Sequence, residues 1–207
     1  WSGGYNTWTD IDTLFKALTK AMSQNPTIKF VSTGGKIDGH DDLTYPNFLK
    51  LIESSPYKDR FIMQGWVPTE DIENYYFESD LGINIDAANY EVIFGARNRL
   101  THMMKIGLPV LTTVGTEVTQ IIEKNKLGLS FSVGNPENLA EQILWASNHR
   151  DELKQMGTRA KQFVFDNWTI EKTTLTVQEW VKHPTHSPDW KVERPIPFNL
   201  MLSESMK

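Results

Sequence analysis

The stretch "GARNRLTHMMKIGLPVLTT", residues 95–113, decides how the rest of this chain is read. An amphipathic run is stopped by Gly107-Leu108-Pro109, and a short β-branched segment follows, which predicts a helix ending at glycine and then a buried strand. Two arginines, Arg97 and Arg99, stand at the mouth of that helix. A helix start favours anions through its macrodipole and its unpaired amides. Two cations there call for something negative between them, and guanidinium groups grip phosphate oxygens through a planar fork. The plainer alternative is an ion pair with Glu91 or Asp86.

The same alternation extends in both directions. Upstream, Ile11, Leu14, Phe15, Leu18, Ala21 and Met22 fall at helical spacing, with Thr9 or Asp10 placed to cap them. "IKFVST" reads as a strand closed by Gly34-Gly35, and a polar loop leads to a helix through Leu49 and Ile52. "RFIMQ" ends at Gly65, a helix runs over Ile72, Tyr75 and Tyr76, and "LGINI" forms the next strand at 81–85. Downstream come a helix through Val118, Ile121 and Ile122, the strand "LGLSF", and a helical run to about residue 182. Short apolar strands alternating with helices predict an α/β, doubly wound, Rossmann-like parallel sheet with extra C-terminal helices. Residues 1–182 would make one domain, and the proline-bearing residues 183–207 an extended tail.

Composition excludes several classes. The 207 residues are enough for one well-buried core. A net charge of −5 argues against a nucleic-acid binder. The absence of cysteine removes disulfides and thiolate metal sites. No window approaches the roughly 20 apolar residues of a membrane span, the first residues lack the regions of a signal peptide, and the lack of cysteine is compatible with a cytoplasmic setting. The chain opens without Met in mid-motif, which suggests a piece of a longer protein. His40, His149, His183 and His186 are scattered and show no metal-ligand spacing, so no metal is expected.

In a doubly wound sheet, ligands sit beyond the carboxyl ends of the strands. The loops to search are therefore Gly3-Gly4, Thr33-Gly34-Gly35, Gln64 through Val67, Asp86 through Arg99, and Gly115-Thr116-Glu117-Val118. None carries the dinucleotide or P-loop glycine spacing. Glycine pairs let a backbone approach a phosphate closely, and they also simply turn the chain. His102, three residues beyond Arg99, shares its helix face and could bind a hydroxyl or pack as an ordinary histidine. Trp66 directly follows a strand-ending glycine and is placed to line a crevice, whereas Trp145, Trp168 and Trp180 are expected to be buried by their helices.

The order of these pieces resembles the C-terminal, donor-binding half of GT-B fold glycosyltransferases, more narrowly the family 4 (group 1) bacterial surface-polysaccharide type. "WSGGYNTWTD" is similar to its W-G-G and W-x-D opening, "FVSTGG" to its second strand, and "FIMQGWVPTEDIENYYFESDLGINI" to its W-V-P block. "RNRLTHMMKIGLPVLTTVGTEV" is similar to its R-T-R helix, G-L-P-V strand and glycine turn. The likeness covers about residues 1–182. It implies a nucleotide-sugar donor, with Glu91, Arg97 and Arg99 as catalytic candidates. Gly3, Gly4, Gly35, Gln64, Trp66, Val67, His102, Gly115, Thr116, Glu117 and Val118 would line the donor. The arginines would replace a divalent metal, and no other cofactor is implied. The family's pair of acids falls here on Phe94, with Glu91 nearby, and on His102. The acceptor, a glycan or lipid-linked saccharide, would enter through an N-terminal domain outside this chain, and the full-length protein could associate peripherally with a membrane. Two rivals remain: a nucleotide-sugar 2-epimerase on the same fold, and a non-catalytic interaction module.

Overall fold

The structure, a computed structural model, describes residues 1–188 and 190, with Glu91 described by its backbone alone. Contacts divide the chain into two units, Trp1–Trp168 and a second beginning at Thr169.

The first unit alternates strand and helix in the expected order. Helix α1 (Ile11–Gln24) is capped by Asp10, whose carboxylate accepts the Thr13 amide at 3.0 Å. Strand β1 (Phe30–Thr33), helix α2 (Thr44–Glu53), strand β2 (Phe61–Gly65) and helix α3 (Ile72–Phe77) follow. Strand β3 (Gly82–Asn84) leads to a short helix α4 (Tyr90–Phe94), which the sequence reading did not anticipate, and then to α5 (Asn98–Ile106). Gly107, at φ 90°, supplies the left-handed residue that ends α5. Strand β4 (Val110–Thr113), helix α6 (Glu117–Asn125), strand β5 (Gly128–Phe131), helix α7 (Pro136–Asn148) and helix α8 (Arg150–Asn167) complete the unit.

All strand pairs are parallel. Strand β1 pairs with β2, and β4 lies between β3 and β5. The first residues run alongside β1, bridging it at Ser2 and Thr33. Apolar side chains from both faces are covered. Leu14, Leu18 and Met22 of α1 and Leu139 and Ile143 of α7 pack with Phe30, Phe61, Ile83 and Leu111. Leu100, Met103 and Met104 of α5, Ile122 of α6 and Ala160 and Val164 of α8 pack with Val110. Adjacent residues Val110 and Leu111 thus serve opposite cores, and every residue of β4 is buried. That is why its sequence is continuously apolar or β-branched rather than alternating.

In the second unit, helices α9 (Ile170–Thr173) and α10 (Leu175–Lys182) follow a Thr169 cap. Trp180 was expected in a core, but it is 53% exposed on α10, none of whose residues is buried. Its helical spacing was correct, but periodicity alone does not supply a layer that covers the stripe. Trp145 and Trp168 are half-buried, Trp145 stacked on His149 with ring centroids 4.3 Å apart. Residues 183–187 carry no helix or strand, and most of the proposed tail, 189 and 191–207, lies outside the described residues. Among those described, no helix is long and apolar enough to cross a membrane.

Candidate functional site

The carboxyl ends of the strands bring the sequence candidates into two neighbouring groups. The first forms where the opening residues cross β1. Gly3 donates its amide to the Thr33 carbonyl at 2.8 Å, and Tyr5 donates to Gly35 at 3.0 Å. The crossing is tight: a Cβ at Gly34 would lie 2.0 Å from the Gly3 carbonyl oxygen, and Gly3 itself sits at φ +97°. Trp66 leaves the end of β2 and leans over this turn. Its indole N–H donates to the Lys36 carbonyl at 2.9 Å, and its ring lies 3.4 Å from where side chains at Gly4 and Gly35 would begin. It remains 62% exposed, an aromatic surface at the crevice mouth.

Arg99 completes this group. It stands in the first turn of α5, with its guanidinium 3.9 Å above the Trp1 ring and 3.5 Å from the Cβ position of Gly3. The side chain is half-buried, and its Nη1 is buried with no hydrogen-bond partner. Burial pushes its pKa down to about 10, which leaves it charged at neutral pH. A buried guanidinium nitrogen without an acceptor is costly unless a ligand supplies one.

The second group is built from β3 and β4. Asp86, 2% exposed, accepts from Arg97 Nε at 3.0 Å and from the Asn84 amide at 2.8 Å. Its own backbone N–H donates to the Thr113 hydroxyl at 3.0 Å. Arg97 is 6% exposed, so the ion-pair alternative describes this arginine. Nearby, the Thr116 hydroxyl accepts the Thr119 amide at 3.0 Å and caps α6. Val92 of α4 packs 3.2 Å from the Cβ position of Gly115. Just beyond β3, the Ala87 amide donates to the Trp8 carbonyl at 2.7 Å.

The remaining candidates are placed less centrally. His102 lies one turn beyond Arg99, with Nε2 3.0 Å from a Glu73 carboxylate oxygen and its ring edge-on to Tyr76. Gln64 and Glu117 are exposed, while Val67 is half-buried and Val118 packs toward the α5–α8 core. Glu91 belongs to α4, but its side chain lies outside the described residues. Phe94, at the family's first acid position, is 81% exposed. The sequence reading named Trp1 only as part of the opening motif and Thr33 only as part of a loop; Trp1 lies under Arg99, and Thr33 accepts from Gly3. An aromatic residue just ahead of a glycine turn facing an arginine-bearing helix was the available signal.

A profile of the family described as "Glycosyl transferases group 1" matches residues 1–149. YtcC of Bacillus subtilis (strain 168), provisionally named a glycosyltransferase, is 23% identical over 160 residues, covering 73% of this chain and 36% of that protein. Among solved structures, Anabaena Alr3699/HepE, crystallised with UDP and glucose, superposes with a TM-score of 0.73 at 16% identity. The match covers 87% of this chain and 47% of HepE. The C-terminal domain of LpcC, a group 1 glycosyl transferase from Francisella tularensis, matches at 0.68 and 13% identity, over 81% of this chain and 84% of that domain. At these identities the superpositions establish a shared fold. The chain spans less than half the length of YtcC and HepE.

Proposed function

Because the chain belongs to the group 1 glycosyl transferases, we propose that it forms the donor-binding half of a nucleotide-sugar-dependent glycosyltransferase. One observation carries the reading: the buried, unpartnered Nη1 of Arg99 at the carboxyl ends of the strands. A donor diphosphate supplies the acceptor oxygen that this nitrogen lacks. In glycosyl transfer the bond from the anomeric carbon to the phosphate oxygen breaks, and the leaving diphosphate gains negative charge. A fixed guanidinium stabilises that charge more in the transition state than in the ground state.

In this reading Arg99 holds the diphosphate without a bound cation, and the Gly3-Gly4 turn lets the phosphates approach the backbone. Trp66 faces the base, while Arg97 and Asp86 set the shape of the loop rather than touching the donor. The acceptor is a glycan or lipid-linked saccharide of surface polysaccharide synthesis, reached through a second domain on the cytoplasmic side of the membrane. HepE was crystallised with UDP and glucose, so UDP and UDP-glucose are the first ligands to try. Calorimetry with uridine, guanosine and thymidine diphosphates, each with and without EDTA, is the test. Heat from at least one of them, unchanged by EDTA and lost in Arg99→Ala, is expected. Silence from all of them, or binding abolished by EDTA, overturns the reading.

A further inference from the structure

Arg99 reaches across two pieces of chain. Its backbone belongs to the first turn of α5, while the Trp1 ring and the Gly3 turn beside its guanidinium belong to the opening segment. Where the guanidinium stands over Gly3 therefore depends on what fixes α5 relative to Ser2 and Gly3. On one side, Arg97 directs its side chain to Asp86 beyond the end of β3 instead of capping the helix.

On the other side stands α3. Glu73 and Tyr76, three residues apart, share one face of this short helix. Glu73 holds α5: a carboxylate only accepts, so His102 Nε2 donates to it, at 3.0 Å. Tyr76 holds the opening segment: its hydroxyl is hydrogen-bonded to the Ser2 hydroxyl, next to Gly3. The Tyr76 ring also meets the His102 ring edge-on, with centroids 5.5 Å apart, so the two attachments touch one another. Tyr76 is buried in the same core as Leu100 and Met103 of α5, whereas the Glu73 and His102 side chains are 46% and 40% exposed.

We propose, on the reading of Arg99 as the diphosphate ligand, that α3 is a bracket setting the distance between Arg99 and Gly3. Glu73, Tyr76 and His102 are its positioning residues, and His102 acts through Glu73 rather than by touching the donor. A misplacement of about 1 Å is enough to forfeit much of what a fixed group contributes. A part-exposed pair adds little to stability, so loss of the Glu73–His102 contact is felt in the placement of Arg99 more than in folding.

The test compares Glu73→Ala, Glu73→Gln and Tyr76→Phe with the wild-type chain by two readouts. The first needs no ligand: the Arg99 side-chain NMR resonances, which the Trp1 ring 3.9 Å beneath the guanidinium shifts upfield. Glu73→Ala and Tyr76→Phe are expected to reduce that shift, and Glu73→Gln, which keeps an acceptor oxygen, to retain it. The second is calorimetric titration with UDP and with 2′-deoxy-UDP. Glu73→Ala and Tyr76→Phe should each lower affinity roughly twofold to fivefold, by the same factor for both nucleotides. An Arg99 shift unchanged in both variants overturns the proposal. So does an affinity loss confined to UDP, which would put His102 against the ribose 2′-hydroxyl. Wild-type protein that binds neither nucleotide overturns the donor reading instead, and the bracket then stands or falls on the Arg99 shift.

Discussion

Arg97 and Arg99 are two residues apart on one turn, yet they meet opposite surroundings. Arg97 is folded into a polar network with Asp86, Asn84 and Thr113, in which the donors and acceptors of three elements meet one another. Arg99 is held by an aromatic face and a glycine backbone, neither of which accepts its Nη1 hydrogens. In the proposed reading, a guanidinium group whose partner is a carboxylate serves the fold. One placed without an acceptor is available to a ligand. The distinction is set by what β3 carries at its end: Asp86 reaches Arg97, and the helix advances Arg99 past it toward Trp1.

The largest effect that can test this contrast comes from Asp86→Ala. It removes a carboxylate partner of the buried Arg97 and is expected to cost about 3–5 kcal/mol of stability, measured by urea unfolding. A loss near zero would show that Arg97 has relaxed into solvent and that the two arginines are not different in kind. Arg99→Ala is expected to lower nucleoside diphosphate affinity tenfold to a hundredfold, on the order of 1.5–3 kcal/mol. Its melting temperature should hold or rise, since a poorly partnered buried cation is removed. A clear drop in melting temperature with unchanged affinity would assign Arg99 to the fold as well. Arg99→Lys should recover part of that affinity in the same titration, because the charge returns without the planar fork. Full recovery would mean that charge alone matters. The smallest change belongs to Trp66→Ala, expected to weaken nucleotide binding by about 0.5–1.5 kcal/mol. The loss should be the same for nucleoside diphosphate and nucleotide sugar, and a loss seen with the sugar conjugate alone would move Trp66 from the base to the sugar end.

The alternation of strands and helices was legible because each strand is a short apolar run and each helix shows one apolar stripe. Caps confirmed the boundaries chemically, as at Asp10 and Thr116. The short helix α4 was not legible: its five residues span little more than one turn, and only Val92 among those described on it is buried. The arginine pair was legible as a pair, but their different surroundings were not. Sequence separation placed Asp86 equally within reach of either arginine, and only the end of β3 shows which one it meets. Trp180 illustrates the converse, since periodicity reports an apolar face without reporting what lies against it.

The crossing of Gly3 over Gly34 bears on how this chain can change over generations. Every amino-acid replacement of a glycine codon adds a Cβ, and at position 34 that atom collides with the backbone at 2.0 Å, whatever side chain follows. The codon at position 3 is restricted separately, by a backbone angle that other residues rarely adopt. Neither restriction involves a ligand. A descendant that had lost every trace of donor binding would still be purged of substitutions here, so an invariant Gly34 in such lineages records backbone geometry rather than retained chemistry. Arg99 has no such protection, and in the proposed reading its persistence or drift is the trait that would date a loss of donor binding.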